Sequence, residues 1–340
     1  MTTRMLEEAR EAPAAIARQL AQDGERYARF TAQLRERPPA SVLTIARGSS
    51  DHAAHYAAYL VMARLGRLVT SLPMSLVTLH RAPIDCAGLV SLAFSQSGAS
   101  PDLVIPTCTF REAGAVTAAF VNDAESPLAH AASWCFPLHA GREQSVAATK
   151  SFIAQLVAGA RMVAAWQQDD ALARSLAALP DALATAAGSD WSAGVEALAG
   201  ADRLLVISRG AALAVAMEAA LKLKETCGIQ AEAFSGAEVE HGPMALVGEG
   251  YPLLVLAPRG PAQAGLLETA ARMRERGGRV LLAAPAGTAG CDLPLAGAGA
   301  VDLDPILAIQ SFYPMVEALA RARGLDPDRP RHLSKVTRTR

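Results

Sequence analysis

Three residues of the segment MEAALKLKET (217–226) have the types and spacing of proton-transfer machinery: Glu218, Lys222 and Glu225. On a helix they stand at i, i+4 and i+7, so they share one face. On a solvated helix the Glu218–Lys222 pair would be an ordinary surface ion pair. Here the preceding turn, AALAVAM (211–217), has no polar side, and a helix apolar all round is a buried one. A buried carboxylate is costly unless paired, and Lys222 can supply the pairing. An acid held in this way can move a proton while shielded from bulk water. Further on, IQAEAFSGAEVEHGPMALV (229–247) contains Glu232, Glu238, Glu240 and His241. Gly242-Pro243 ends any regular element there, so His241 sits beside a fixed turn. Near a buried carboxylate it would form an acid/base pair, although a lone histidine is more often structural. Lys224 falls off the stripe and reads as a surface residue.

These residues need a frame. Short apolar runs at 41–46, 88–94, 115–121, 203–208, 251–257 and 279–284 alternate with Ala/Leu-rich helical stretches, the pattern of parallel sheets covered by helices. An N-terminal helix spans about 4–36, and two helices near 147–168 and 171–187 join the halves. LTIARGSS (43–50) matches LVISRGAA (205–212), and LAFSQSG (92–98) matches VLAPRG (255–260). Gly48 and Gly210, like Gly98 and Gly260, are 162 residues apart. One spacing at two strand ends indicates two α/β subdomains of one design.

The copies differ where open parallel sheets bind ligands, beyond the carboxyl ends of the strands. The first copy has Ser49-Ser50 and Ser95-Gln96-Ser97-Gly98-Ala99-Ser100; the second has Ala211-Ala212 and Ala257-Pro258-Arg259-Gly260. Hydroxyls and backbone amides at a helix N-terminus suit a phosphate. Such loops also serve as turns and caps, but two at corresponding strand ends favour an anion cradle.

The bulk numbers set limits. The 340 residues, 51% hydrophobic and 19% charged, fit about two domains of roughly 150 residues with a large core. With a net charge of −1 and no basic stripe, nucleic acid is not the expected partner; the basic tail KVTRTR is too short to be a binding surface. The scattered Cys86, Cys108, Cys135, Cys227 and Cys291 suggest neither zinc ligation nor a disulfide framework. A charged N-terminus and the lack of an apolar run of about 18 residues point to a cytoplasmic protein without a membrane partner. No ligand cluster or dinucleotide fingerprint is present, so no metal or other cofactor is expected.

SQSG, VAATKSF, MEAALKLKE, AEAFSGAEVEHGPMAL and DRPRHLSK together, in this order over nearly the whole chain, resemble the sugar isomerase (SIS) double-domain family. The resemblance is closest to the isomerase half of glucosamine–fructose-6-phosphate aminotransferase and to stand-alone SIS-type glucosamine-6-phosphate deaminases. It implies two flavodoxin-like three-layer α/β/α subdomains, 37–170 and 196–325, with an N-terminal helix (1–36), connecting helices (171–195) and a C-terminal active-site loop (326–340). It also implies a homodimer with a shared active site acting on a hexose 6-phosphate. By matching position, Ser49, Ser50, Ser95, Gln96, Ser97 and Ser100 fall at the phosphate, and Val146 and Thr149-Lys150 line the sugar site. Glu225 moves a proton between C1 and C2, with Glu218 and Lys222 as its partners. His241, borrowed from the neighbouring subunit, opens the ring, and Lys335 contacts the open-chain carbonyl.

The aminotransferase's glutaminase domain, led by a nucleophilic cysteine, is not matched at Met1-Thr2-Thr3, so ammonia production from glutamine is not expected. SQSGASPD in place of SQSGETAD looks more like the stand-alone branch; Ala99 removes a carboxylate, and Pro101 suits a first helical turn. The expected activity is conversion of glucosamine 6-phosphate to fructose 6-phosphate and ammonia. The alternatives are an aldose–ketose isomerase or aminotransferase-like enzyme on another amino-sugar 6-phosphate, and a non-catalytic phosphosugar sensor. No helix-turn-helix precedes residue 40 to favour the sensor.

Overall fold

A computed structural model describes residues 2–335. The chain forms two compact units with interleaved segments. Among the described residues, one comprises Ala14–Glu143, Lys150–Ala177 and residues 334–335; the other comprises residues 2–13, Gln144–Thr149 and Ala178–Leu333.

The first unit is built on a parallel sheet of β1 (Ser41–Ile45), β2 (Val69–Ser71), β3 (Leu89–Ser95), β4 (Val116–Val121) and β5 (Trp134–Pro137), in the order β2-β1-β3-β4-β5. Successive side chains of a strand point to opposite faces, and both faces are covered. Register places Phe94 beside Phe120 and Phe120 beside Phe136. Their rings stack at 4.7 and 5.0 Å between centroids and meet Phe30 of the Gly24–Glu36 helix. Ile45, Ala93, Ala119 and Val121 form the other face's core with Leu103, Phe110 and Leu128.

The second unit repeats this topology with β6 (Arg203–Ser208), β7 (Gln230–Ser235), β8 (Pro252–Leu256), β9 (Arg279–Pro285) and β10 (Leu293–Leu295), all parallel, in the order β7-β6-β8-β9-β10. Leu205, Ile207, Val255 and Leu282 pack one face against Leu266, Ala270 and Met273 of the Gln263–Glu275 helix. The Leu213–Cys227 helix lies between strands β6 and β7 and the Asp304–Ala322 helix. It is therefore enclosed on opposite sides, which its all-round apolar sequence requires. Gly48, Gly98, Gly210 and Gly260 all have positive φ at the corresponding ends of β1, β3, β6 and β8.

The long helix expected near 147–168 forms as Lys150–Gln167, whereas those expected over 4–36 and 171–187 are divided. Residues 4–36 form three helices, Arg4–Arg10, Ala12–Ala21 and Gly24–Glu36. Pro13 has no amide to continue the first, and Asp23 is left-handed at φ 58° before the third. Pro180 likewise separates Asp170–Ala177 from Leu179–Ala187. Among the described residues no helix is long and apolar enough to cross a membrane. All five cysteines are free thiols.

Candidate active site

The chemistry-bearing residues divide between the units. Ser49, Ser50, Ser95, Gln96, Ser97, Ser100 and Lys335 belong to the first; Val146, Thr149, Glu218, Lys222, Glu225 and His241 belong to the second.

In the first unit, strand order reverses between β1 and β3, and at such a switch point the loops part to leave a crevice. Ser49-Ser50 opens the Ser49–Leu65 helix after β1, and Ser95–Ser100 links β3 to the Pro101–Glu112 helix. The two loops are tied together by Arg47 Nη2 and the buried Asp102 Oδ2 at 3.1 Å. Ser95 Oγ accepts from Gly98 N at 3.0 Å and Ser97 Oγ from Ala99 N at 3.4 Å, leaving both hydroxyl protons to donate. Ser100 is the N-cap residue of its helix, yet its side chain makes no capping bond. Hydroxyls with protons to spare beside a helix start are suited to an anion. Burial pushes the Asp51 carboxyl, in the first turn of the Ser49–Leu65 helix, above the usual range, against the pull of His52, His55 and Arg47. Its charge near the cradle is thereby easier to neutralise.

Gly98 fixes the cradle's shape. Its φ is +62°, and an added Cβ would lie 2.1 Å from Ser126 Oγ and 2.8 Å from Val121 Cγ2. Gly98→Ala is expected to cost about 2–4 kcal/mol in urea unfolding, from backbone strain and overpacking together. Unchanged stability would show that the loop re-forms elsewhere.

In the second unit, the acid–base–acid stripe forms as its spacing demands. Glu218 and Lys222 are completely buried, with Lys222 Nζ 3.3 Å from Glu218 Oε1. The same ammonium pairs with Glu225 Oε2, whose side chain is 19% exposed. Burial alone would lower the Lys222 pKa, but the charges of Glu218 and Glu225 outweigh it and hold the ammonium above its ordinary value of 10.5. Glu225 thus rests on a fixed cation and lines a cavity of about 1090 Å³, together with Leu221, Arg329 and Arg331. A carboxylate anchored in this way can take up and release a proton without moving. Burial pushes the thiol of Cys227, two residues on, up to about 11, which disfavours the thiolate. Lys224 is exposed, as its place off the stripe implies, and donates to Ala231 O.

Other expected residues stand apart. His241 ends the exposed Glu238–His241 turn and makes no side-chain hydrogen bond or ion pair among the described residues. Glu240 is engaged by Arg272. Val146 is half-buried and Thr149 fully buried, in a segment whose Gln144 and Ser145 amides donate to the Glu8 carboxylate. Lys335 Nζ is 2.8 Å from Glu143 Oε2. Residues 336–340 of the expected C-terminal loop, and of the basic tail, lie outside the described residues. Arg47, Asp102, Glu143 and Glu8 were not anticipated; the trace of Arg47 in the sequence is the Arg-Gly that follows both β1 and β6.

Comparison with known proteins agrees with this architecture. Residues 37–165 and 197–284 match the SIS domain model. The chain is 34% identical over 312 residues to the isomerizing glutamine–fructose-6-phosphate aminotransferase of Zymomonas mobilis, covering 86% of this chain and 51% of that protein. It thus spans about half the length of the relatives it matches. A structure from Silicibacter pomeroyi, described as a candidate phosphosugar isomerase, is 42% identical with a TM-score of 0.91, covering 96% of this chain and 100% of that one. The glucosamine-6-phosphate deaminase of Thermotoga maritima superposes with a TM-score of 0.78 over 99% of this chain and 100% of its own; at 20% identity that likeness is one of fold. With more than half of its length matched to the family model, this chain belongs to the SIS domain family.

Proposed function

We propose that the protein is a phosphosugar isomerase that couples isomerisation to deamination, converting glucosamine 6-phosphate and water to fructose 6-phosphate and ammonia. The observation that carries this reading is the Glu218–Lys222–Glu225 array, with Glu225 anchored on a buried ammonium and facing a cavity. Ser50, Ser95, Ser97 and Ser100 hold the phosphate, His241 of a partner subunit opens the ring, and Lys335 meets the carbonyl of the open chain. Glu225 takes the proton from C2 and returns it to C1. The C1 aldehyde becomes an alcohol and the C2 amine becomes an imine, which water hydrolyses to the ketone and ammonia.

The test is ammonia release by the pure protein from glucosamine 6-phosphate, with unphosphorylated glucosamine alongside. Release from the phosphate ester alone is the expected result. Equal rates on both sugars would remove the role given to the serine loops, and no release from either would reject the reaction.

A further inference from the structure

The buried carboxylate of Glu143 has no part in the mechanism above, yet it makes an ordered set of contacts within the first unit. Its side chain is wholly buried and receives Lys335 Nζ on Oε2 at 2.8 Å. Ser151 Oγ donates to the same oxygen at 2.6 Å, and Ser151 N donates to Oε1 at 3.1 Å. Ser151 is the second residue of the Lys150–Gln167 helix, so the carboxylate also satisfies a free amide of that helix start. The helix holds the carboxylate, and the carboxylate in turn holds a lysine 192 positions away in sequence. A carboxylate placed in the interior is stable only if its partners stay, and two of these contacts come from Ser151 in the first turn of the helix.

We infer that Glu143 is the positioning residue for Lys335: it seats the ammonium at a fixed point, so that the lysine meets its carbonyl from a set direction instead of searching for it. The consequence for catalysis rests on the role proposed above for Lys335; the seat itself does not. Glu143→Gln keeps an acceptor for Ser151 but removes the charge that holds the ammonium. Ser151→Ala keeps the charge and the backbone amide contact and removes only the hydroxyl hydrogen bond, so it separates the effect of the charge from that of a neutral contact to the same carboxylate.

The measurement is site-resolved acetylation of the full chain by dilute acetic anhydride, read by peptide mass spectrometry, with exposed Lys224 as the internal reference. In the wild type, Lys335 is expected to label roughly tenfold more slowly than Lys224. Glu143→Gln should remove that difference, and Ser151→Ala should keep it. On glucosamine 6-phosphate, Glu143→Gln should lower kcat about tenfold or more with little change in KM, whereas Ser151→Ala should leave both near wild type. Wild-type Lys335 labelling as fast as Lys224 would overturn the inference with no variant needed. Equal effects of the two substitutions would show that the hydrogen bonding between Glu143 and Ser151, not the charge, is what matters, and would overturn the inference. A protected Lys335 in a protein that releases no ammonia would leave the seat standing and reject the proposed reaction instead.

Discussion

Glu225→Gln is expected to lower kcat on glucosamine 6-phosphate by about 10²–10⁴, the range assigned to a positioned acid/base, or about 3–5 kcal/mol of barrier. The amide has nearly the same shape and still offers an oxygen to Lys222, but it cannot carry the proton between carbons. KM should stay within a few-fold, because the interaction lost belongs to the transition state and not to binding. The folded state should barely notice: Lys222 retains Glu218 at 3.3 Å, and Glu225 is the partly exposed member of the array. Exchange of the C2 proton with solvent, followed by NMR in D₂O, should fall in step with turnover. A variant within tenfold of wild type in both measurements would move the shuttle to another group and leave the array a structural feature.

Why the array was legible in the sequence, and why its surroundings were not, has a physical explanation. Glu218, Lys222 and Glu225 interrupt a helix that is otherwise apolar, and helical periodicity translates their spacing directly into proximity. The strands β1, β3, β4, β6, β8 and β9 were readable for a related reason: their residues are largely buried, so they appear as continuous apolar runs. The missed strands lie at sheet edges. β2, β5 and β10 have three or four residues each, and β7 carries exposed Gln230 and Glu232 because only part of it is covered. The serine loops could be placed because strand order and chain repetition put them at equivalent ends. Glu143 could not: it lies in a polar run, GREQSV, with no periodicity, and its lysine partner is far along the chain. Asp102 and Arg47 escaped in the same way, each beside a loop already singled out but joined only through space. Local pattern reveals what one element does by itself, whereas an ion pair between elements becomes visible only once the fold has closed.

The largest expected change in stability comes from Lys222. Lys222→Met retains most of the side chain's bulk but leaves Glu218 as a carboxylate with no exposed surface and without the ammonium 3.3 Å away. Breaking a buried pair from one side costs about 3–5 kcal/mol, a large share of the roughly 5–15 kcal/mol that holds a typical domain. The double variant Glu218→Gln/Lys222→Met removes the stranded charge and should recover at least half of that loss in urea unfolding. This tells a charge effect from a packing effect, since a hole left by the lysine stem would persist in both proteins. The pH dependence gives an independent check. The folded-state pKa of Lys222 is raised, so its contribution is fully present below the unfolded value of 10.5 and is lost as pH rises through the higher folded value. The gap in stability between wild type and Lys222→Met should therefore be constant from neutral pH to about 10 and close above it. A gap that stayed open at the alkaline end would mean that the lysine contributes through its hydrocarbon stem, and the pairing with Glu218 and Glu225 would lose its energetic role.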